Sequence, residues 1–188
     1  SQKGLSCPPG LGPFTMGPRA EAKLSARSGK VPNWYLDVSL LNQYWGSDRV
    51  YHHTAPVNMN FGMREALRLL ADEGLENAWA RHRSNAERLW SGLERLGLEL
   101  HVRPELRLPT LTTVRIPEGV DGKAFSRHLL NRHGIELGGG LGALAGKVWR
   151  IGLMGYNSRP ENVDLLLDLL EHELPAFRSG ATAMAAVA

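Results

Sequence analysis

The sequence has almost no sulfur chemistry, no long apolar run and no concentration of charge of either sign. Cysteine occurs once, at Cys7, which excludes an internal disulfide framework and a metal site built from several thiolates. A lone thiol suits a reducing compartment. No apolar stretch approaches the roughly 18–20 residues that a bilayer-crossing helix needs, and none combines a basic start, an apolar stretch and a small-residue cleavage site. No membrane partner is expected. The net charge is only +3 over 188 residues. Lys and Arg are scattered and aromatics do not interleave with them, so a nucleic-acid partner is not expected. Acidic small molecules suit the mild positive balance. An initiating methionine is also missing. The chain opens Ser1-Gln2-Lys3 and runs at once into Gly4-Leu5-Ser6-Cys7-Pro8-Pro9-Gly10, so the expectation is a fragment or an incomplete gene model.

What is present is core material. Hydrophobic residues make up 43% and charged residues 22%, enough for one packed domain plus part of another. The Gly- and Pro-rich opening to Pro18 reads as a loop. A short helix is expected from Arg19 to Ser28 with Gly29 as its stop, and another from Tyr35 to Tyr44 stopped by Gly46. Val50 to Pro56 reads as irregular, and Asn58 as the cap of a helix carrying Met63, Leu67 and Leu70. Leu75, Trp79, His82, Ala86, Leu89, Leu93 and Leu96 recur at steps of three or four, which predicts one long amphipathic helix ending at Gly97.

Beyond it the pattern alternates. Leu98 to Val102, Leu111 to Ile116, Ile135 to Leu137 and Val148 to Leu153 read as strands. Asp121 caps a helix that Gly134 closes after His133. Ser158-Arg159-Pro160-Glu161 reads as a capping box opening a helix that buries Val163, Leu166, Leu167, Leu170 and Leu174. The order β-β-α-β-β-α predicts a small α+β unit with helices on one face of a mainly antiparallel sheet. The Ala-rich last ten residues are expected to fray.

Four places could carry chemistry. Lys3 stands beside a glycine before a turn; it is either a solvated side chain or an amine placed for imine formation. Tyr51-His52-His53-Thr54 is either a polar surface loop or a phenol and hydroxyl spaced to hold one phosphate. A two-histidine metal site there is disfavoured, because adjacent side chains on an extended chain diverge, and no metal is expected elsewhere. Arg150, inside the apolar run Val148-Trp149-Arg150-Ile151-Gly152-Leu153, is either a strand-edge residue facing water or a fixed fork for a carboxylate. The glycine-rich loop Gly138-Gly139-Gly140-Leu141-Gly142 lacks the strand-then-helix order of a phosphate cradle. It reads as a flexible crossover or as a wall that allows close approach of substrate.

Eight motifs occur in one order: Ser1-Gln2-Lys3, Cys7-Pro8-Pro9-Gly10, Trp34-Tyr35-Leu36-Asp37, Tyr51-His52-His53-Thr54, Gly74-Leu75-Glu76-Asn77, Arg107-Leu108-Pro109-Thr110, Gly139-Gly140-Leu141-Gly142 and Arg150-Ile151-Gly152-Leu153. With them, roughly residues 1–175 resemble the alanine–glyoxylate (serine–pyruvate) aminotransferases, class V enzymes of the fold-type-I pyridoxal-phosphate group. The resemblance implies an α/β fold. Residues 1–73 would be the end of a large cofactor-binding domain, 74–97 a connecting helix, 98–175 a small α+β domain and 176–188 a frayed tail. It implies pyridoxal 5'-phosphate as cofactor, with Lys3 bonding its aldehyde and later carrying the substrate α-proton, and Gln2 helping to hold its phosphate. Tyr51 and Thr54 would reach that phosphate from the neighbouring subunit, so the working unit would be a homodimer. Arg150 would bind the substrate carboxylate.

The implied reaction moves an amino group from alanine (or serine) to glyoxylate. Alternatives are a sibling class V enzyme with another amino donor, or a truncated, non-catalytic fragment that dimerises. The family's aspartate and ring-stacking tryptophan lie upstream of its lysine, so this chain alone is expected to be nearly or wholly inactive. A peroxisomal or mitochondrial compartment follows from the resemblance only, since Ala186-Val187-Ala188 does not read as a peroxisomal address.

Overall fold

A computed structural model describes residues 1–178 of the chain. Three helices come first: α1 (Pro18–Ser25), α2 (Val38–Trp45) and α3 (Val57–Glu73). Gly74, at φ +85°, turns the chain into the long α4 (Leu75–Arg95). Then follow β1 (Leu111–Arg115), α5 (Gly122–His133), β2 (Gly138–Gly139), β3 (Val148–Gly152) and α6 (Pro160–Glu173). The strands form one antiparallel sheet in the order β1-β3-β2.

Period-two alternation decides which way each strand residue points. Thr112 and Val114 of β1 and Trp149 and Ile151 of β3 are buried. They pack with Leu89 and Leu93 of α4, Phe125 and Leu129 of α5, and Val163, Leu166 and Leu170 of α6 in one core. Buried polar groups are satisfied there: Trp90 Nε1 donates to Thr112 Oγ1 (2.8 Å) and Trp149 Nε1 to the Gly122 carbonyl (3.1 Å). Arg150 falls between Trp149 and Ile151 and therefore lies on the other face, in register with Thr113 on one side and Gly138 on the other.

Several boundaries differ from the sequence expectation for identifiable reasons. The Tyr35–Tyr44 helix divides at Asp37. Asn33 Oδ1 accepts from the Leu36 amide and closes a 3-10 turn over Trp34–Leu36, while Asp37 Oδ1 accepts from the Ser39 amide and opens α2. Asn58 is not a cap: Pro56 occupies that position and its carbonyl accepts from the Asn60 amide. Leu98 to Val102 forms a single bridge, Leu100 to Val114, rather than a strand; Pro104 opens a 3-10 turn just beyond it. Ile135 to Leu137 is not a strand because the Ile135 amide closes the C-terminus of α5 on the Leu129 carbonyl, past left-handed Gly134, and pairing starts only at Gly138. The capping box does not form either. Ser158 is fully buried, and its Oγ accepts from Asn85 Nδ2 (3.2 Å).

Residues 176–178 of the expected tail are packed. Phe177 meets Phe125 edge-on at 5.3 Å, its carbonyl accepts from the Asp121 amide, and Arg178 bridges Val120. The last ten residues, expected to fray, lie outside the described residues.

Gly92 of α4 lies directly against the Leu167 side chain of α6. A Cβ there would stand 2.6 Å from Leu167 Cδ2, which explains a glycine inside a helix despite its propensity cost. Gly92→Val is expected to lower stability by about 1–3 kcal/mol through overpacking. Urea unfolding followed by circular dichroism checks this; an unchanged midpoint would mean that the two helices do not meet at Gly92.

Candidate active site

The site is assembled by a contact between the first residues of the chain and the loop that joins β3 to α6. After Lys3 the backbone turns, with the Ser6 amide donating to the Lys3 carbonyl (3.0 Å). Ser6 itself adopts φ +53°, a left-handed conformation that costs energy for any residue with a Cβ. That turn sits on the loop joining β3 to α6. Ser6 Oγ accepts from the Tyr156 amide (2.8 Å), and a Cβ on Gly155 would collide with Ser6 Oγ and stand 2.6 Å from the Gly4 carbonyl. Gly155 also has φ +56°. Only glycine meets both demands.

Three neighbouring positions of α4 hold this loop from beneath. Arg81 donates from one terminal nitrogen to the carbonyls of Gly155 (2.9 Å) and Ser158 (2.7 Å), and its Nε and other terminal nitrogen grip Glu73 at 2.5 and 2.9 Å. His82 Nε2 accepts from the Gly155 amide (2.9 Å), while Nδ1 lies 2.6 Å from the Ala78 carbonyl. A carbonyl only accepts and an amide only donates, so the ring carries its proton on Nδ1. Asn85 completes the set through Ser158. None of these roles is visible in the sequence, although one sign was there: His82 stands in the apolar stripe of α4, where a polar side chain needs a partner.

Docking the two loops opens a cavity of about 690 Å³ whose lining includes Gln2, Lys3, Cys7, Gly138, Arg150 and Tyr156. Lys3 and Gln2 are exposed on its rim. Arg150 is half-buried, and its Nε donates to the Gly139 carbonyl at 2.6 Å. This anchors the planar group at one edge and leaves its terminal nitrogens for a ligand. Among the described residues no carboxylate forms an ion pair with it. A Cβ on Gly138 would stand 3.5 Å from a terminal nitrogen of Arg150, so the side-chain-free strand keeps that approach open. Tyr156 is braced from behind by Arg159, whose guanidinium carbon lies 3.7 Å from the ring centroid. Glu136 also borders the cavity and is the acidic group there that the sequence reading did not single out.

Tyr51 and Thr54 are placed differently. Tyr51 Oη and Thr54 Oγ1 are 3.0 Å apart, and both residues are exposed. The segment is pinned by His52, which is buried and stacked on Trp34 at 4.1 Å, with Nε2 3.2 Å from the Trp34 carbonyl. Nδ1 of His52 faces Nδ1 of His53 at 2.9 Å. The hydroxyl pair does not border the cavity that holds Lys3. One chain therefore brings Gln2, Lys3 and Arg150 together and leaves Tyr51 and Thr54 on a separate surface.

An amine and an anchored guanidinium thus stand on the walls of one cavity, an arrangement that could receive a small molecule carrying a carboxylate. Comparison with known proteins agrees: residues 1–166 match aminotransferase class-V, and the chain belongs to that family. It is 47% identical to the alanine–glyoxylate aminotransferase of Callithrix jacchus, over 93% of this chain and 43% of that protein. The crystal structure of alanine–glyoxylate aminotransferase from Nostoc sp. superposes with a TM-score of 0.86 at 66% identity, over 90% of this chain and 45% of the other. Ureidoglycine–glyoxylate aminotransferase from Bacillus subtilis gives 0.90 at 40% identity, over 95% and 46%. The architecture is the fold-type-I aminotransferase one. The chain spans less than half the length of these relatives.

Two predictions concern the loop contact. Arg81→Met removes two charge-assisted hydrogen bonds to carbonyls and is expected to cost on the order of 2–3 kcal/mol, read as a lower urea midpoint. The second is pH-dependent. The hydrogen bond from Arg81 holds the Glu73 carboxyl below its ordinary value of 4.5. Its contribution to stability is therefore complete above about pH 4.5 and is lost as pH falls through the lowered folded-state value. Glu73→Gln should flatten the acid limb of the stability curve. A limb as steep as in the parent protein would show that Glu73 is not the group responsible.

Proposed function

We propose that the protein to which this chain belongs transfers the amino group of alanine (or serine) to glyoxylate, giving pyruvate (or hydroxypyruvate) and glycine, with pyridoxal 5'-phosphate as cofactor. The observation that carries this reading is that Lys3 and Arg150 border the same cavity, an amine and a carboxylate fork within reach of one small substrate.

The residues fit that cofactor. Lys3 offers a free amine at the cavity rim, and Gln2 beside it offers an amide for a phosphate oxygen. The Tyr51–Thr54 hydroxyl pair, 3.0 Å apart, suits two oxygens of one phosphate. Because that pair lies away from Lys3 within one chain, the reading requires it to come from a second copy, as a homodimer with shared sites. Exposed Trp34 on the 3-10 turn, Trp45 on α2, Phe61 on α3 and Trp79 on α4 support this, since they leave apolar surface for a partner to cover. Bound there, the cofactor supplies an electron sink for the substrate α-carbon. Arg150 holds the substrate carboxylate through its free nitrogens and so sets which α-carbon bond faces the Lys3 amine. With the cofactor bound, Lys3 would hold it through its amine and would be the base placed over the substrate α-proton.

A second reading, ureidoglycine as amino donor to glyoxylate, draws on the 0.90 superposition with the Bacillus subtilis enzyme. Turnover of alanine, serine and ureidoglycine against glyoxylate separates the two.

In the complete protein, borohydride reduction should bleach the cofactor absorption band and leave a modified peptide containing Lys3. Lys3→Ala should abolish turnover while still permitting cofactor binding, and normal turnover would refute the assignment. Arg150→Lys should raise KM for the amino donor by about 10–100-fold, the loss of one bidentate charge-assisted contact of 1.5–3 kcal/mol. An unchanged KM would place the carboxylate on another residue.

A further inference from the structure

The last turns of α5 and α6 bring together three groups that take no part in the cavity around Lys3. His128 and His133 lie on α5, His133 as its final residue, and Glu173 is the final residue of α6. Glu173 Oε2 is 2.5 Å from His128 Nε2, and Oε1 is 2.9 Å from His133 Nε2. One nitrogen or oxygen from each of the three lies within 4.8 Å of the others. We propose that His128, His133 and Glu173 form a binding site for a divalent cation of the zinc class, distinct from the proposed active site.

The donor set favours that class of ion. Two imidazole nitrogens and one carboxylate oxygen suit zinc, which takes such ligands at about 2.0–2.2 Å and often leaves a fourth position to water. Magnesium and calcium prefer all-oxygen sets and fit poorly. The three side chains keep between 26% and 30% of their exposure, so the ion has a path in and solvent can fill the remaining position. Among the described residues neither Nδ1 atom has a hydrogen-bond partner. In the metal-free structure each Nε2 donates to the Glu173 carboxylate; a cation that takes the Nε2 lone pairs would leave each ring proton on Nδ1, which is free to carry it. Phe177 lies against the His128 ring at 5.1 Å and restrains its rotation. Both helices end here, and the partial negative charge of a helix C-terminus also favours a cation.

Such an ion would clip the end of α5 to the end of α6, on the opposite side of α5 from its capped start at Asp121. The sequence conceals the set, because His133 and Glu173 are 40 residues apart.

The test is zinc chloride titrated into the full chain by calorimetry, with metal content measured after desalting. The expected result is one zinc per chain, with a higher melting temperature in its presence. His128→Asn, His133→Asn and Glu173→Gln should each weaken binding by at least about tenfold, given that even outer-shell partners are worth that much. Cys7→Ser and His172→Asn should leave it unchanged. Zinc X-ray absorption on the unmutated chain provides a readout independent of variant folding: nitrogen and oxygen neighbours with imidazole scattering are expected. A sulfur neighbour, no binding to the unmutated chain, or cluster variants that bind as tightly as their parent would each overturn the proposal and leave a hydrogen-bonded clasp.

Discussion

The arrangement depends on the contact between the backbone of Gly4 to Ser6 and the backbone of Gly155. Lys3 lies on a loop that makes no ladder with the sheet, and Arg150 lies on a central strand. Nothing in the sheet itself relates the two. Their relation is set where Ser6 Oγ accepts from the Tyr156 amide and where Gly155 leaves room for the Gly4 carbonyl. Gly155 is buried there, and its backbone groups would be stranded without partners. Here Arg81 and His82 take up the Gly155 carbonyl and amide, and Ser158 is satisfied by both Arg81 and Asn85. One face of α4 thus does for the loop what a neighbouring strand does for a strand.

The same helix explains why the two halves of the chain differ. Its Leu89 and Leu93 belong to the C-terminal core, whereas α1, α2 and α3 bury no residue at all. Apolar side chains at helical spacing in those elements, such as Leu67 and Phe61, face outward. An amphipathic helix of this kind draws its stability from packing more than from propensity.

The features legible in the sequence are those encoded locally. The period of α4, the Asp121 cap and Gly134 stop of α5, and the apolar register of α6 all depend on neighbours within a few residues. Arg150 stood out because a charge inside an apolar strand must either reach water or meet a partner, and strand alternation then fixed its face. What stayed hidden depends on distant groups. Ser158 has the spacing of a capping box, yet its hydroxyl is taken by Asn85, 73 residues earlier. Ile135 has a strand-forming side chain, but its amide is used to end a helix. Gly155 looked like one more glycine among many, and only the approach of Gly4 and Ser6 shows why a side chain is excluded.

Placing the amine on a loop and the guanidinium on a strand has a chemical logic under the proposed reaction. Groups that fix orientation work best on rigid elements, within a fraction of an ångström of the productive position. Arg150 meets this requirement twice over, through backbone pairing to both neighbouring strands and through its Nε bond to Gly139. Under the proposed reaction Lys3 would have the opposite task, its amine serving first to hold the cofactor and then to move a proton on the substrate. Its backbone is held by the Ser6 turn and the Gly155 contact, while its side chain has no hydrogen-bond partner among the described residues. A fixed backbone with a free four-carbon arm would let one amine reach both positions.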